Sequence, residues 1–316
     1  MLTNTINLLE RKFRFGADHE IQTKYSVDAK SGLGVRFLTN SENIEIILQL
    51  ESNATVRQHV GNSLSNGIYY CISDSKGKLI TQNICINKEV ENKHTLFANK
   101  HAKDIQCEIF FPILNKIDKL MLDLNDGASI EAINRKNIVV CGGKLSYGIG
   151  CTFANAMYSN TIARRLYCNP VNLSVFNSNK FYSDIGKNAC EYSPVAIITE
   201  CGCKQNSPDY LRDNLYEYLK NLVNYNPQSW IIVLGEDNWY MNENKKLRKE
   251  MELDIVSQIK HKTKHNMLYI SLGDVFHNKT TDMLTYSSNF YNDYANYEIA
   301  KYLIPVLKAC IVAQNS

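Results

Sequence analysis

Ile138-Val139-Val140-Cys141-Gly142-Gly143-Lys144-Leu145-Ser146-Tyr147-Gly148 decides the fold. Four apolar residues, three of them β-branched or aliphatic, run straight into a glycine pair. That reads as a strand buried on both faces, followed by a tight turn. It is not a phosphate loop of the Gly-x-x-x-x-Gly-Lys-Ser/Thr type, because Lys144 sits at the wrong offset. Similar runs follow at Val171-Asn172-Leu173, Val195-Ala196-Ile197-Ile198, Trp230-Ile231-Ile232-Val233-Leu234 and Met267-Leu268-Tyr269-Ile270. Between them the period changes to that of a helix. Leu211, Leu215, Tyr218, Leu219 and Leu222 share one face, and Ala300, Leu303, Ile304 and Leu307 share another. Strand, helix, strand, helix with apolar strands predicts a doubly wound α/β domain over 133–316, built on a five-stranded parallel sheet.

Upstream the character differs. Val35–Thr39, Ile44–Leu50, Gly67–Ile72, Cys107–Phe111 and Lys119–Leu124 are short strand signals. Asp74-Ser75-Lys76-Gly77-Lys78 is a turn cluster, with Leu79-Ile80 as the return strand. Residues 1–132 are therefore expected to form a β-sandwich of jelly-roll type.

The charge balance of the 316 residues is +3, too small and too scattered to suggest nucleic acid as a partner. No run of about 20 apolar residues predicts a membrane span. The first fifteen residues lack the apolar core of a secretory signal, so a cytoplasmic protein is expected. Ten cysteines without a Cys-x-x-Cys pair fit reduced thiols and argue against a zinc site of the usual spacing. His261 and His265, four apart, could face a metal, but no third ligand is evident and a solvated pair is the simpler reading. No metal or cofactor is expected, and a homo-oligomer is possible.

Ligands of an open parallel sheet bind beyond the C-terminal ends of its strands. That rule selects residues 141–150, 174–179, 200–206 and 286–291. The glycines of the first loop would let the backbone approach a ligand closely.

At these loops the chain resembles the SGNH (GDSL-like) hydrolases. Ile138 to Gly148 is similar to that family's first block, an apolar strand and then Gly-Asp/Ser/Thr-Ser-Ile/Leu-Thr-x-Gly. Tyr158 and Ala163-Arg164-Arg165-Leu166 resemble the helix that follows, and Ser287 to Leu307 the last block and its helix. The first half resembles the β-rich domain that precedes some bacterial members. Gly67-Ile68-Tyr69 stands where those carry Gly-x-Asp-Leu-Tyr, Phe110-Phe111-Pro112-Ile113 resembles their Tyr-Leu-Pro-Leu, and Gly127-Ala128-Ser129-Ile130 the segment before the hydrolase domain. The resemblance implies a flavodoxin-like α/β/α domain.

It also implies where the chemistry would be, and there the residues depart. Lys144 occupies the position of the nucleophilic serine. Asn177 takes that of the oxyanion-hole glycine, and Lys204 or Asn206 that of the oxyanion-hole asparagine. Ser287-Ser288-Asn289-Phe290 replaces Asp-x-x-His. A serine hydroxyl needs a base, and the base needs a partner to fix its tautomer; Phe290 can serve as neither. Ordinary serine-esterase activity is therefore expected to be absent.

Several roles stay open for the residues present. Lys144 either fills the vacated position and pairs with Glu200 or a carbonyl, or attracts an anion together with Lys204, or becomes a nucleophile or Schiff-base former if desolvated. Cys141, Ser146 and Cys203 are further candidates for altered chemistry, with Gly143, Glu200, Ser287 and Phe290 lining the ligand site. Cys201 and Cys203 read equally as small buried residues at a strand end. Asp274-Val275-Phe276-His277 keeps the family's spacing and could supply a substitute dyad for a residual esterase, or be a surface loop. The expected ligand is small and anionic or polar, held by a pseudoenzyme or by an enzyme of altered chemistry.

Overall fold

The structure is a computed structural model that describes residues 2–10, 14–15, 33–51, 61–86, 91–99, 104–115, 117–175, 181–201, 207–235, 243–287 and 290–314. The chain divides into two compact units. The first is Met1–Arg135 with Cys151–Asn155; the second is Lys136–Gly150 with Ala156–Ser316.

The first unit holds β1 (Leu2–Asn7), β2 (Arg14–Phe15), β3 (Gly34–Thr39), β4 (Asn43–Leu50), the short helix α1 (Asn62–Asn66), β5 (Gly67–Ser73), β6 (Leu79–Ile86), β7 (Glu91–Ala98), β8 (Ile105–Phe110), β9 (Ile117–Asn125) and β10 (Ile130–Ala132). One antiparallel sheet has the order β1-β9-β4-β7, the other β10-β3-β8-β5-β6 with β2 beside β3. From β3 onward the chain passes repeatedly between the two sheets, apart from the β5–β6 hairpin, which stays within one of them. In β4 burial alternates along Asn-Ile-Glu-Ile-Ile-Leu-Gln-Leu, so Ile44, Ile46 and Leu48 point inward. They stand opposite Leu124, Leu122 and Leu120 of β9. Val35, Phe37, Ile72, Cys107 and Ile109 of the other sheet complete the same core.

The turn cluster after β5 forms as expected. Asp74 Oδ1 accepts from the N–H groups of Lys76 (2.9 Å) and Lys78 (2.8 Å), and Gly77 takes φ +78°. Gly67 opens β5 where a Cβ would lie 2.5 Å from the Ser63 carbonyl oxygen. Tyr69 stacks on Phe153 at 5.2 Å and donates to Gln82 Oε1 at 2.6 Å.

The second unit contains β11 (Asn137–Cys141), α2 (Lys144–Tyr147), α3 (Tyr158–Leu166), β12 (Asn169–Asn172), α4 (Ile185–Cys190), β13 (Ala196–Glu200), α5 (Pro208–Tyr225), β14 (Trp230–Gly235), α6 (Glu243–Thr263), β15 (Met267–Ser271), α7 (Leu272–Val275), α8 (Thr281–Leu284), β16 (Thr285–Ser287), β17 (Phe290–Tyr291) and α9 (Asp293–Ala313). Strands β12-β11-β13-β14-β15 form one parallel sheet in that order, the flavodoxin-like order. Ile138, Val140, Ile198 and Ile232 pack with Tyr158 and Ile162 of α3 and with Ile299, Leu303 and Leu307 of α9. Val139, Ile197, Ile231 and Val233, alternating with them, are buried as well. Both faces of the strands are thus covered, which is why they lack polar alternation. Helix α5 begins with Pro208 after Ser207, whose hydroxyl accepts from Tyr210 N–H at 3.2 Å; Asn292 caps α9 through Ala295 N–H at 3.0 Å. Among the described residues no helix is long and apolar enough to cross a membrane.

Candidate functional site

The chain reverses direction across the sheet at β11, so the crevice at the ends of β11 and β13 is the topological switch point. The loop after β11 is built around the carboxylate of Glu200, the last residue of β13. Glu200 Oε2 accepts from Gly143 N–H at 3.1 Å, and Glu200 Oε1 accepts from Ser146 N–H. Burial pushes the Glu200 carboxyl up; the bonds from Ser146 and Gly143 oppose this.

The glycine pair gives room to the protein's own carboxylate. A Cβ on Gly142 would lie 2.8 Å from the Glu200 carboxyl carbon and 2.9 Å from Ser146 Oγ. The Gly143 amide, expected to line the ligand site, already serves Glu200. Gly148 ends α2 in the left-handed conformation at φ +83°, donating to Leu145 O. Gly150 lies against β17, where an added Cβ would be 2.0 Å from the Tyr291 carbonyl oxygen. Gly150→Ala is therefore expected to cost about 1–3 kcal/mol by overpacking against backbone. Urea unfolding should show it, with Ala154→Gly as a control; an unchanged midpoint would mean that this loop is free to shift.

Ser146 and Cys141 do not stand as nucleophiles. Ser146 is fully buried, with Oγ 2.6 Å from the Tyr158 hydroxyl, and its carbonyl accepts from Asn172 Nδ2 at 2.7 Å. Burial pushes the Cys141 thiol far up, so it is a neutral core group beside Tyr218. Cys201 is buried, and its thiol too is raised well above the ordinary value. The substitute dyad does not form. Asp274 and His277 are both exposed, and the contact between them is from His277 N–H to the Asp274 carbonyl at 3.4 Å. His261 is exposed whereas His265 is buried, and among the described residues no three metal-ligating side chains converge.

Lys144 does not pair with Glu200, whose two oxygens face the backbone amides. Its ammonium lies over the ring of Phe290, 5.3 Å from the centroid. Ser287 ends β16, which pairs with β17. Asn177, Cys203, Lys204 and Asn206 lie outside the described residues, so the expected pairing of Lys144 with Lys204 does too.

Three supporting residues had no role in the sequence reading. Asn172, at the end of β12, holds Ser146 O and also accepts from Ser174 N–H at 2.9 Å. Tyr158 reaches Ser146 Oγ from α3, while Asn296 of α9 accepts from Tyr158 N–H at 3.0 Å and donates to Tyr291 O at 3.3 Å. The strand bearing Phe290 and the loop bearing Lys144 are thus tied through one buried polar chain. A strand-end asparagine after two apolar residues was the visible signal for Asn172.

Residues 16–130 match the family model described as GxDLY, the N-terminus of SGNH-hydrolase-type esterases. No curated protein matches the chain. Among solved structures, the chain is similar to a putative GDSL-like lipase from Bacteroides ovatus, with TM-score 0.75, 21% identity, and coverage of 89% of this chain and 85% of that one. It is similar to a salicylyl-acyltransferase from a tetracycline biosynthetic pathway, with TM-score 0.74, 12% identity, and coverage of 97% and 98%. A family two carbohydrate esterase from Cellvibrio japonicus gives TM-score 0.66, 13% identity, and coverage of 98% of both chains. Residues 16–130 thus match the model of the N-terminus of SGNH-hydrolase-type esterases, and the chain shares its fold with the GDSL-like lipase and carbohydrate-esterase structures.

Proposed function

We propose that this protein is a divergent SGNH-hydrolase-like protein whose Ser-His-Asp triad has been replaced, and that it binds a small anionic or polar molecule beside Lys144. The observation that carries this reading is the contact of Lys144 Nζ with the Phe290 ring at 5.3 Å. By the family resemblance, these are the nucleophile and base positions. They hold an ammonium and a phenyl ring, which cannot relay the proton that acyl transfer requires. An ammonium beside a ring is instead suited to hold an anion against an apolar wall. Either the protein only binds, or Lys144 acts covalently on its ligand. The exposed Asp274 and His277 give no support to a residual esterase. The described cysteines are reduced thiols, which supports a reducing, cytoplasmic setting.

The test pairs an activity with a binding measurement. Turnover of p-nitrophenyl acetate should equal the buffer rate. Titration with acetate, benzoate and inorganic phosphate, followed by amide chemical shifts, should perturb Gly143 to Ser146, and Lys144→Ala should weaken the tightest of them at least tenfold. Enzymatic turnover abolished by a serine-directed phosphonate would overturn the proposal, and so would anion affinity unchanged in Lys144→Ala.

A further inference from the structure

Strand β6, Leu79-Ile80-Thr81-Gln82-Asn83-Ile84-Cys85-Ile86, closes one side of its sheet; among the described residues β5 is the single strand paired with it, and helix α1 also contacts it. A free strand edge is a template for another strand, and natural edges are usually blunted by charge, proline or shortness. The other edges of this sandwich are blunted by charge or shortness, or, in β1, are mostly polar. β7 carries Glu91 and Lys93, β10 and β2 have three and two residues, and β1 is built from threonine and asparagine around Ile6. β6 has eight residues with no charge and no proline. It also exposes apolar side chains, Leu79 at 50% and Ile80 at 45%. The Ile84 N–H meets no strand; it donates to the side chain of its own neighbour, Asn83 Oδ1, at 2.8 Å. By the alternation of an antiparallel ladder, the Gln82 N–H and C=O point to the same free side.

We propose that two copies of this chain associate through β6, strand to antiparallel strand, about a twofold axis at Gln82. The sequence of the strand is what favours a second copy over a foreign strand. An axis at Gln82 sets Ile80 of one copy opposite Ile84 of the other, Thr81 opposite Asn83, and Leu79 opposite Cys85. Apolar residues meet apolar ones, polar meet polar, and no like charges face each other. Gln82 then exchanges both main-chain hydrogen bonds with Gln82 of the second copy, as an isologous interface requires. The Ile84 N–H trades its local cap for the Ile80 carbonyl of the other strand. A ladder of this length is a small interface, so the association should be weak, with Kd on the order of 1–100 µM.

Sedimentation velocity of the full chain tests this over roughly that concentration range. The expected result is a rise from monomer to dimer mass. Gln82→Pro should abolish the rise while leaving the β5–β6 ladder intact, because the lost N–H faces away from β5, although the Tyr69 hydroxyl loses its acceptor. Gln82→Lys should do the same by setting two ammonium groups face to face. Gln82→Cys should cross-link copies under mild oxidation, since hydrogen-bonded partners sit about 5.5 Å apart, within reach of a disulfide. The unsubstituted chain, with its own cysteines, is the control and should not cross-link. A chain that stays monomeric throughout overturns the proposal. So does a dimer that survives both Gln82→Pro and Gln82→Lys.

Discussion

Glu108→Leu is expected to destabilise the first unit by about 3–5 kcal/mol, the cost of leaving a buried charge without its partner. Arg36 and Glu108 stand opposite each other on β3 and β8, and Arg36 is only 2% exposed. Arg36 Nε lies 2.5 Å from Glu108 Oε1, Arg135 approaches the same oxygen at 3.1 Å, and Gln106 Nε2 donates to it at 3.0 Å. One carboxylate thus bridges two guanidinium groups. Burial already lowers the Arg36 pKa, with Arg135 adding to this and Glu108 opposing it. Leucine keeps most of the volume but removes the negative charge, so the two cations then repel each other. The double variant Arg36→Met/Glu108→Leu should recover much of the loss, because one charge of each sign is gone. Amide hydrogen exchange at β3 and β8 reads this locally. Exchange should accelerate roughly 10²–10⁴-fold in the single variant. A change below tenfold, or equal changes in single and double variants, would show that the pair contributes little.

How far the sequence could be read depends on where the information resides. The parallel sheet was legible because both faces of each strand are covered, so Ile138–Cys141 and Trp230–Leu234 carry their burial in their own composition. β12 was displaced, because it begins at Asn169 and Pro170, residues that do not signal a strand. β1 and β7 were missed for a related reason. Leu2–Asn7 and Glu91–Ala98 are mostly polar, and they become strands by pairing with β9 and β4 rather than by propensity. At the site, the glycine pair was read as room for a ligand, whereas the group that approaches Gly142 is Glu200, 58 positions beyond it. The chain from Asn172 through Ser146 and Tyr158 to Asn296 joins β12, α2, α3 and α9, a union that exists only once the sheet is folded. The family resemblance marked Lys144 and Phe290 separately; their contact is a property of the loops that hold them.

Removing the acceptor at the centre of those loops should therefore have a large effect. Glu200→Ala leaves the Gly143 and Ser146 N–H groups without their carboxylate, and each lost buried bond costs about 1–3 kcal/mol, so a loss of about 2–5 kcal/mol is expected. Glu200→Gln should cost less than alanine, because it keeps the volume and one acceptor, although its amide turns donors toward one of the two N–H groups. The pH dependence separates two physical accounts. Burial is the largest influence on Glu200 and raises its pKa above the ordinary 4.5. The native state then holds this proton to higher pH than the unfolded chain does. The contribution of Glu200 to stability therefore falls as pH rises from about 4.5 through the raised native value, and it is flat above that. Glu200→Gln has no such proton, so the difference between the two unfolding curves should shrink across this window. The opposite slope, with the difference shrinking as pH falls, would mean that the two amides outweigh burial and hold the carboxylate ionised. In either case the loop that carries Lys144 loses its anchor. Anion affinity should then fall in Glu200→Ala although the ammonium is still present, because an unanchored charge must be ordered again at each binding event.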